Sequence, residues 1–411
     1  MKKPHIIFLT TANLSSNPRL RKEASLAVEL GWQVSLFYAR VGGNWDSLDD
    51  KMERSMEGVN FIRVSATKTT FWTWLLSSIV QKIAQKIVLF VNKSFYWNAV
   101  AENKRALLLL MALRKTAAPD LVIGHTLGAL YPAYYFAKKQ NVNWGFDIED
   151  FHPGESGGVP VATIAIRTKL MQMLLPQANY FTYAAPLIGI YTQKLLAKTT
   201  AIPSNFLINN SFISTDFSEE MPPNNLKAKV NFVWFSLNIA KGRGLETILP
   251  SLDAHRTEIT LTLIGNLYEN FAMEYLDSRK DYIITEPLLP QKELHQILYQ
   301  YDIGLALELS SSELNRDICL TNKIFTYAQA GLYILASETQ GQKNFMANNS
   351  QLGICTDIKS ENLTIEVAKI LQNIETIRLA RNTRFNYAKP FAYENESAQL
   401  VDIWTRLISP K

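Results

Sequence analysis

The chain alternates short apolar runs with amphipathic stretches over most of its length. Ile6 to Leu9 is a run of the buried-strand kind, and a polar loop from Thr10 to Ser16 follows it. Asn17 has the side chain of a helix cap and Pro18 suits the first helical position. Leu20, Ala24, Ala27 and Val28 then recur at helical spacing until Gly31 ends the helix, and Gln33 to Tyr38 supplies the next strand. This is a βαβ unit. Further units are expected at strand Leu121 to Gly124, helix Tyr131 to Lys139, strand Trp144 to Ile148 and a helix around Ile164 to Leu175.

Near Leu207 to Phe212 the alternation pauses, and Glu219 to Asn225, with Pro222 and Pro223 at its centre, has the composition of a linker. The pattern restarts with strand Asn231 to Phe235, helix Gly244 to Leu252, and strands Thr260 to Ile264 and Tyr282 to Thr285. Helix Gln291 to Tyr299, strand Ile303 to Leu307, helix Lys323 to Ala330 and strand Tyr333 to Ala336 follow. The expected organisation is α/β, with two doubly wound Rossmann-like domains at 1–205 and 226–390, a linker at 206–225 and a final helix at 391–411.

Composition narrows this picture. A chain of 411 residues with 47% hydrophobic content exceeds one comfortable core and suits two α/β domains. The net charge of +5, from 42 basic and 37 acidic residues, favours anionic partners such as nucleotide phosphates or acidic lipids and disfavours nucleic acid. Cys319 and Cys355 lie in no CxxC or Cys/His cluster, which argues against a disulfide framework or zinc site and fits a reducing cytoplasm. The start of the chain reads as a strand, and the longest apolar runs, such as Leu107 to Leu113, fall far short of a membrane span. A cytoplasmic protein, peripheral at most on the inner face of the plasma membrane, is expected.

One segment suggests a surface role. Trp72, Leu76, Ile79, Ile83, Ile87 and Phe90 line one helical face, with Lys82, Lys86 and Lys93 elsewhere, so that 71–115 reads either as an interfacial segment at an anionic membrane or as helices covering a sheet.

Ligands of open parallel sheets bind beyond the carboxyl ends of the strands, so the residues there carry the candidate chemistry. Thr10 to Ser16 has no glycine, which disfavours a dinucleotide fingerprint, and no phosphate-binding GxxxxGK loop occurs. His125 follows its strand directly and is a candidate for contacting a sugar or moving a proton; a structural histidine is the alternative. Asp147, Glu149 and Asp150 end the next strand, able to orient hydroxyls, act as a base or simply cap a turn. Gly154 to Gly158 fits GxSxG, but Pro153 separates it from the strand, so Ser156 is not read as a nucleophile. In the second half, Gly242, Arg243 and Gly244 join a cation to a helix start, a combination suited to a diphosphate, and Asn322 with Lys323 opens another helix.

Several of these blocks, in order, resemble group-4-like glycosyltransferases of the GT-B fold. Ser16 to Ala24 with Leu30 to Val34 resembles that family's opening, and Pro119 to His125 its acceptor-side histidine strand. Phe146 to Pro153 resembles its acidic loop and Ile208 to Asn210 its hinge. Gly242 to Glu246 is similar to its phosphate turn, Thr321 to Gly331 to its nucleotide-site helix, and Tyr393 to Glu396 to the start of its last helix. The resemblance implies two domains facing a cleft, with the C-terminal helix crossing back to the first. It also implies retaining, metal-independent sugar transfer from a nucleoside-diphosphate sugar to a cell-envelope glycan or lipid-linked acceptor, with no separate cofactor. By position, Arg243 would meet the donor diphosphate with Lys323 assisting, His125 the transferred sugar, and Gly242, Gly244, Asn322 and Thr326 would complete the donor site beside the catalytic candidates His125, Asp147 and Glu149.

The chain departs from the family at Thr326 and Ile318, where glutamates are common, at Leu237, where an arginine often stands, and at Glu149, the family's loop histidine. These changes imply unusual donor recognition or reduced activity. Two other readings therefore remain: a non-catalytic GT-B subunit that binds a glycan or a partner, and a sugar-nucleotide epimerase.

Overall fold

The computed structural model describes residues 3–65, 67–91, 93–197, 202–223, 228–309, 313–358 and 361–409. Asn224 and Asn225 of the expected linker lie outside them. The chain divides into two compact units, Met1–Ile208 with Gln399–Lys411, and Asn209–Ala398.

Unit 1 is built on seven parallel strands: β1 (His5–Thr10), β2 (Gln33–Arg40), β3 (Val59–Ser65), β4 (Leu121–His125), β5 (Asn143–Ile148), β6 (Tyr180–Tyr183) and β7 (Ser204–Leu207). Their order is β3-β2-β1-β4-β5-β6-β7, so the winding reverses between β1 and β4. Strands buried on both faces read as continuous apolar runs, as in Ile6 to Leu9. The register aligns Thr10 with His125, His125 with Asp147 and Asp147 with Thr182, placing four polar residues side by side at the carboxyl ends.

The first helix, Pro18–Glu29, starts where the sequence expects, with the Asn17 side chain accepting from the Leu20 N–H. Its buried face carries Arg19 and Glu23 beside Leu20, Ala24 and Ala27. Two charged residues one turn apart on a core-facing stripe demand buried partners. The helix expected from Tyr131 starts earlier, spanning Leu127–Gln140 with Pro132 inside it. Trp404, on the final helix Tyr393–Ile408, is fully buried in unit 1, where its rings lie 6.0 Å from Phe8 and 6.1 Å from Trp32, and its N–H donates to the Tyr180 hydroxyl at 2.7 Å.

Unit 2 has six parallel strands, β8 (Val230–Ile239), β9 (Ile259–Leu267), β10 (Ile283–Glu286), β11 (Ile303–Ala306), β12 (Tyr333–Ser337) and β13 (Gly353–Thr356). The order β10-β9-β8-β11-β12-β13 reverses between β8 and β11. Phe232, Trp234, Leu261, Leu263, Leu305 and Leu335 from the sheet pack with Ile248 and Leu252 of helix Leu245–Asp253 in one core. Strand β8 outruns its expected end at Phe235 because a bulge between Phe235 and Asn238 lets pairing resume to Ile239.

Candidate functional site

At the carboxyl ends of β4 and β5 in unit 1, the sequence candidates His125 and Asp147 belong to a buried ionic cluster. The Arg19 guanidinium donates to both Asp147 oxygens, at 2.8 and 2.5 Å, and to the Ile208 carbonyl at 2.6 Å. Thr182 donates its hydroxyl to Asp147 at 2.6 Å. His125 lies between Glu23, 3.2 Å from its Nε2, and Asp147, 3.5 Å from its Nδ1.

Burial opposes the imidazolium, but the Glu23 and Asp147 carboxylates outweigh it and hold the His125 pKa up at about 9. Burial likewise opposes the Asp147 charge, and Arg19 overcomes it, keeping that carboxyl far below the ordinary range. With His125 1% exposed and Asp147 2%, neither presents an open polar atom. The expectation that both act directly on a ligand meets a different arrangement here: Asp147 is paired with Arg19, and His125 lies between the carboxylates of Glu23 and Asp147. Glu23, His125 and Asp147 offer donor atoms within 4.8 Å of one another, but the cation beside Asp147 is already the Arg19 guanidinium. The Oε1 of Glu23 is buried without a hydrogen-bond partner among the described residues.

Two neighbours reach the surface. Glu149, just beyond β5, keeps part of its surface exposed, and burial followed by the Asp150 charge pushes its carboxyl up to about 7. Of the three catalytic candidates it is the one able to exchange a proton near neutrality. Thr126, after His125, takes φ 64° and bonds its hydroxyl to the Thr10 and Thr11 hydroxyls at 3.3 and 3.0 Å, a strained residue at the point where the winding reverses. Ser156 lies in the loop between the turn His152–Gly154 and helix Val161–Leu174 and does not sit on an immediate strand-to-helix elbow.

In unit 2, Gly242 and Gly244 both have positive φ, 86° and 87°, forming the tight turn that follows β8. The Gly242 N–H donates to the Glu246 carboxylate at 2.6 Å, so this turn holds a protein anion. Arg243 projects from it, 46% exposed, with Nη1 3.8 Å from Glu308 Oε2. Lys323, in the first turn of helix Asn322–Gln329, is buried over the Trp234 ring with its Nζ 3.2 Å from Glu308 Oε1. The two cations thus meet on one carboxylate.

Sequence reasoning missed Glu308, although it directly follows the β11 segment expected to end at Leu307, the same signal that singled out His125. Asn322 is partly exposed at the helix start. Thr326 requires correction as a binding residue: it is fully buried and its hydroxyl donates to the Asn322 carbonyl at 2.9 Å, one turn back. Ile318 is fully buried as well.

The helix Phe71–Ile87 turns its apolar stripe outward. Trp72 is 72% and Leu76 60% exposed and Ile79 and Ile83 are exposed too, whereas Ile87 is partly buried; Phe90, 87% exposed, lies past the end of the helix, and Lys82, Lys86 and Lys93 are also at the surface. Trp74 faces the protein instead, with Lys104 over its ring at 5.4 Å. Among the described residues no helix is long and apolar enough to cross a membrane.

Two sheets of seven and six parallel strands, each reversed at a central switch, define a two-domain α/β fold of the GT-B type. The solved structures it is similar to include sucrose-phosphate synthase from Thermosynechococcus elongatus, at 13% identity and TM-score 0.68 over 98% of this chain and 99% of that one. A glycosyltransferase from Rickettsia africae matches at 12% identity and TM-score 0.64 over 100% of both chains. Anabaena HepE in complex with UDP matches at 10% identity and TM-score 0.65 over 98% of this chain and 100% of that one. No family model and no curated sequence matches the chain.

Proposed function

We propose that this protein is a metal-independent, retaining glycosyltransferase that moves a hexosyl group from a nucleoside-diphosphate sugar to a cell-envelope glycan or lipid-linked acceptor. The observation that carries the reading is the convergence of Arg243 and Lys323 at the reversal of the unit 2 sheet, beside the Gly242 to Gly244 turn. Ligands of doubly wound sheets bind at this place, and two cations suit the charge that develops on a departing diphosphate. Support also comes from the structural relatives that hold UDP or a UDP-sugar, such as HepE.

In this reading the bond between the anomeric carbon and the β-phosphate oxygen breaks, and the electron pair leaves with the diphosphate, held by Arg243 and Lys323. The acceptor oxygen attacks on the same face, beside the departing oxygen, which takes its proton. Glu149 accepts a hydrogen bond from an acceptor hydroxyl. The His125 cluster keeps the ends of β4 and β5 in place. The outward stripe of Trp72, Leu76, Ile79, Ile83 and Phe90, bordered by lysines, would rest on an anionic membrane surface at the cytoplasmic face, where lipid-linked acceptors are met.

The test is a thermal-stability and titration series with UDP-, GDP- and dTDP-sugars, since a true ligand stabilises by mass action. Arg243→Ala and Lys323→Ala should each weaken binding, because a charge-assisted hydrogen bond contributes about 1.5 to 3 kcal/mol. His125→Ala should spare binding of the bare nucleotide and lower transfer. Unchanged nucleotide binding by Arg243→Ala would defeat the assignment.

A second reading, a non-catalytic nucleotide- or glycan-binding subunit, is favoured by Thr326 and Ile318, which bury apolar or satisfied groups where the resembled family has glutamates. Binding without turnover across the donor series would establish it.

A further inference from the structure

Glu308 has no role in the proposed transfer, yet it occupies the place where the two proposed diphosphate cations meet. It follows β11 at the sheet reversal, is 5% exposed, and approaches Lys323 at 3.2 Å and Arg243 at 3.8 Å. Its backbone is clamped: the Glu308 N–H donates to the Ser337 hydroxyl at 2.7 Å, and that hydroxyl donates back to the Glu308 carbonyl at 2.6 Å. Lys323 is buried with it, whereas Arg243 is half exposed on a glycine turn. The carboxylate and the lysine are therefore the fixed parts, and the arginine is the part able to swing.

The charges differ in consequence. Two cations and one carboxylate leave a net +1, so an arriving diphosphate is attracted by Arg243 and Lys323 and repelled by Glu308. We propose, resting on the diphosphate reading of Arg243 and Lys323, that Glu308 is the internal counter-anion of the donor site, a positioning residue that competes with the diphosphate for both cations. When the nucleotide is absent, Glu308 keeps the cations gathered. When the spent nucleoside diphosphate loosens, Glu308 recaptures them and speeds its departure. Such a device weakens binding of donor and product alike, which costs nothing in the chemical step and helps where product release limits turnover.

The experiment is calorimetric titration of parent, Glu308→Gln and Glu308→Asp with UDP, GDP, dTDP and inorganic pyrophosphate at two salt concentrations, together with donor kinetics. Glu308→Gln should bind the preferred nucleotide, and pyrophosphate, about tenfold tighter, given the coupling of close charge pairs. Its salt dependence should steepen, and donor KM and kcat should fall together with stronger product inhibition. Glu308→Asp should fall between the parent and Glu308→Gln in all of these.

Equal or weaker diphosphate binding by a folded Glu308→Gln, with melting temperature and circular dichroism like the parent's, overturns the proposal. If Glu308→Gln does not fold, Glu308→Asp takes its place: its retracted carboxylate should still tighten binding measurably, and equal or weaker binding overturns the proposal in the same way. Arg243→Ala and Lys323→Ala separate the two levels. If they leave binding unchanged, the diphosphate reading itself fails; if they weaken it and Glu308→Gln does not tighten it, only the role of Glu308 fails.

Discussion

Arg19, in the first turn of the first helix, grips Asp147 at the end of β5 through two hydrogen bonds of 2.8 and 2.5 Å, with both side chains 2% exposed. Its third contact, to the Ile208 carbonyl, fixes the end of unit 1 next to the boundary at Asn209. One guanidinium thus ties the first helix to the end of β5 and the exit from β7. Removing one partner of such a pair leaves a buried charge uncompensated. Arg19→Leu should therefore lower stability by about 3 to 5 kcal/mol, read as a shift in the first denaturant transition, and Asp147→Asn should do so comparably.

The His125 cluster makes an alkaline prediction. Its folded pKa of about 9 lies above the ordinary value of 6.5, so the stabilisation it provides is fully present below 6.5 and is lost as pH rises through 9. The loss should reach at most about 3 kcal/mol. Denaturant titrations from pH 6 to 10 should show this limb in the parent, and His125→Gln should flatten it.

For Glu149, the carboxyl pushed up to about 7 by burial and by Asp150 predicts a pH-dependent acceptor affinity. Acceptor KM should fall as pH rises through 7, where the carboxylate becomes an acceptor only. Glu149→Gln should abolish that dependence while leaving nucleotide binding intact. A parent profile flat between pH 6 and 8 would remove Glu149 from the acceptor site.

The glycine turn after β8 separates backbone strain from steric conflict. Both glycines need positive φ, but a Cβ at Gly242 meets open space, whereas one at Gly244 meets Leu307 at 3.2 Å and Ile358 at 3.1 Å. Gly242→Ala should cost about 1 to 2 kcal/mol through strain alone. Gly244→Ala should cost more, and differential scanning fluorimetry of the two variants orders them.

Vesicle sedimentation tests the outward apolar stripe. Replacing Lys82, Lys86 and Lys93 with glutamate should release the protein from anionic vesicles, since each basic residue near such a surface contributes about 1 kcal/mol. Trp72→Ser should weaken binding to the same vesicles without altering nucleotide affinity. Sedimentation equal to the parent's in both variants would assign the stripe no membrane role.

Much of this architecture is legible because β/α alternation is a local pattern. Apolar runs such as Ile6 to Leu9 and Leu121 to Ile123 are buried on both faces, and Asn17 and Pro18 mark a helix start through their own backbone chemistry. The partly exposed strand β3 shows no such run, and the apolar pattern does not reveal it. Positions after strands are legible for the same reason, which is how His125, Glu149 and Arg243 come forward.

What each of those residues does is decided by tertiary structure, because the partners lie far along the chain. Glu23 and His125 are 102 residues apart and Arg19 and Asp147 are 128 apart, so the sequence marks a helix start and a histidine without saying that their charges neutralise one another. Helical spacing places Trp72, Leu76 and Ile83 on one face, but only the packing of neighbouring elements determines that this face is outside. Arg243 and Lys323 are each legible as cations at helix starts. That they share the carboxylate of Glu308 follows from the reversal between β8 and β11, which brings together strand ends that local periodicity cannot order.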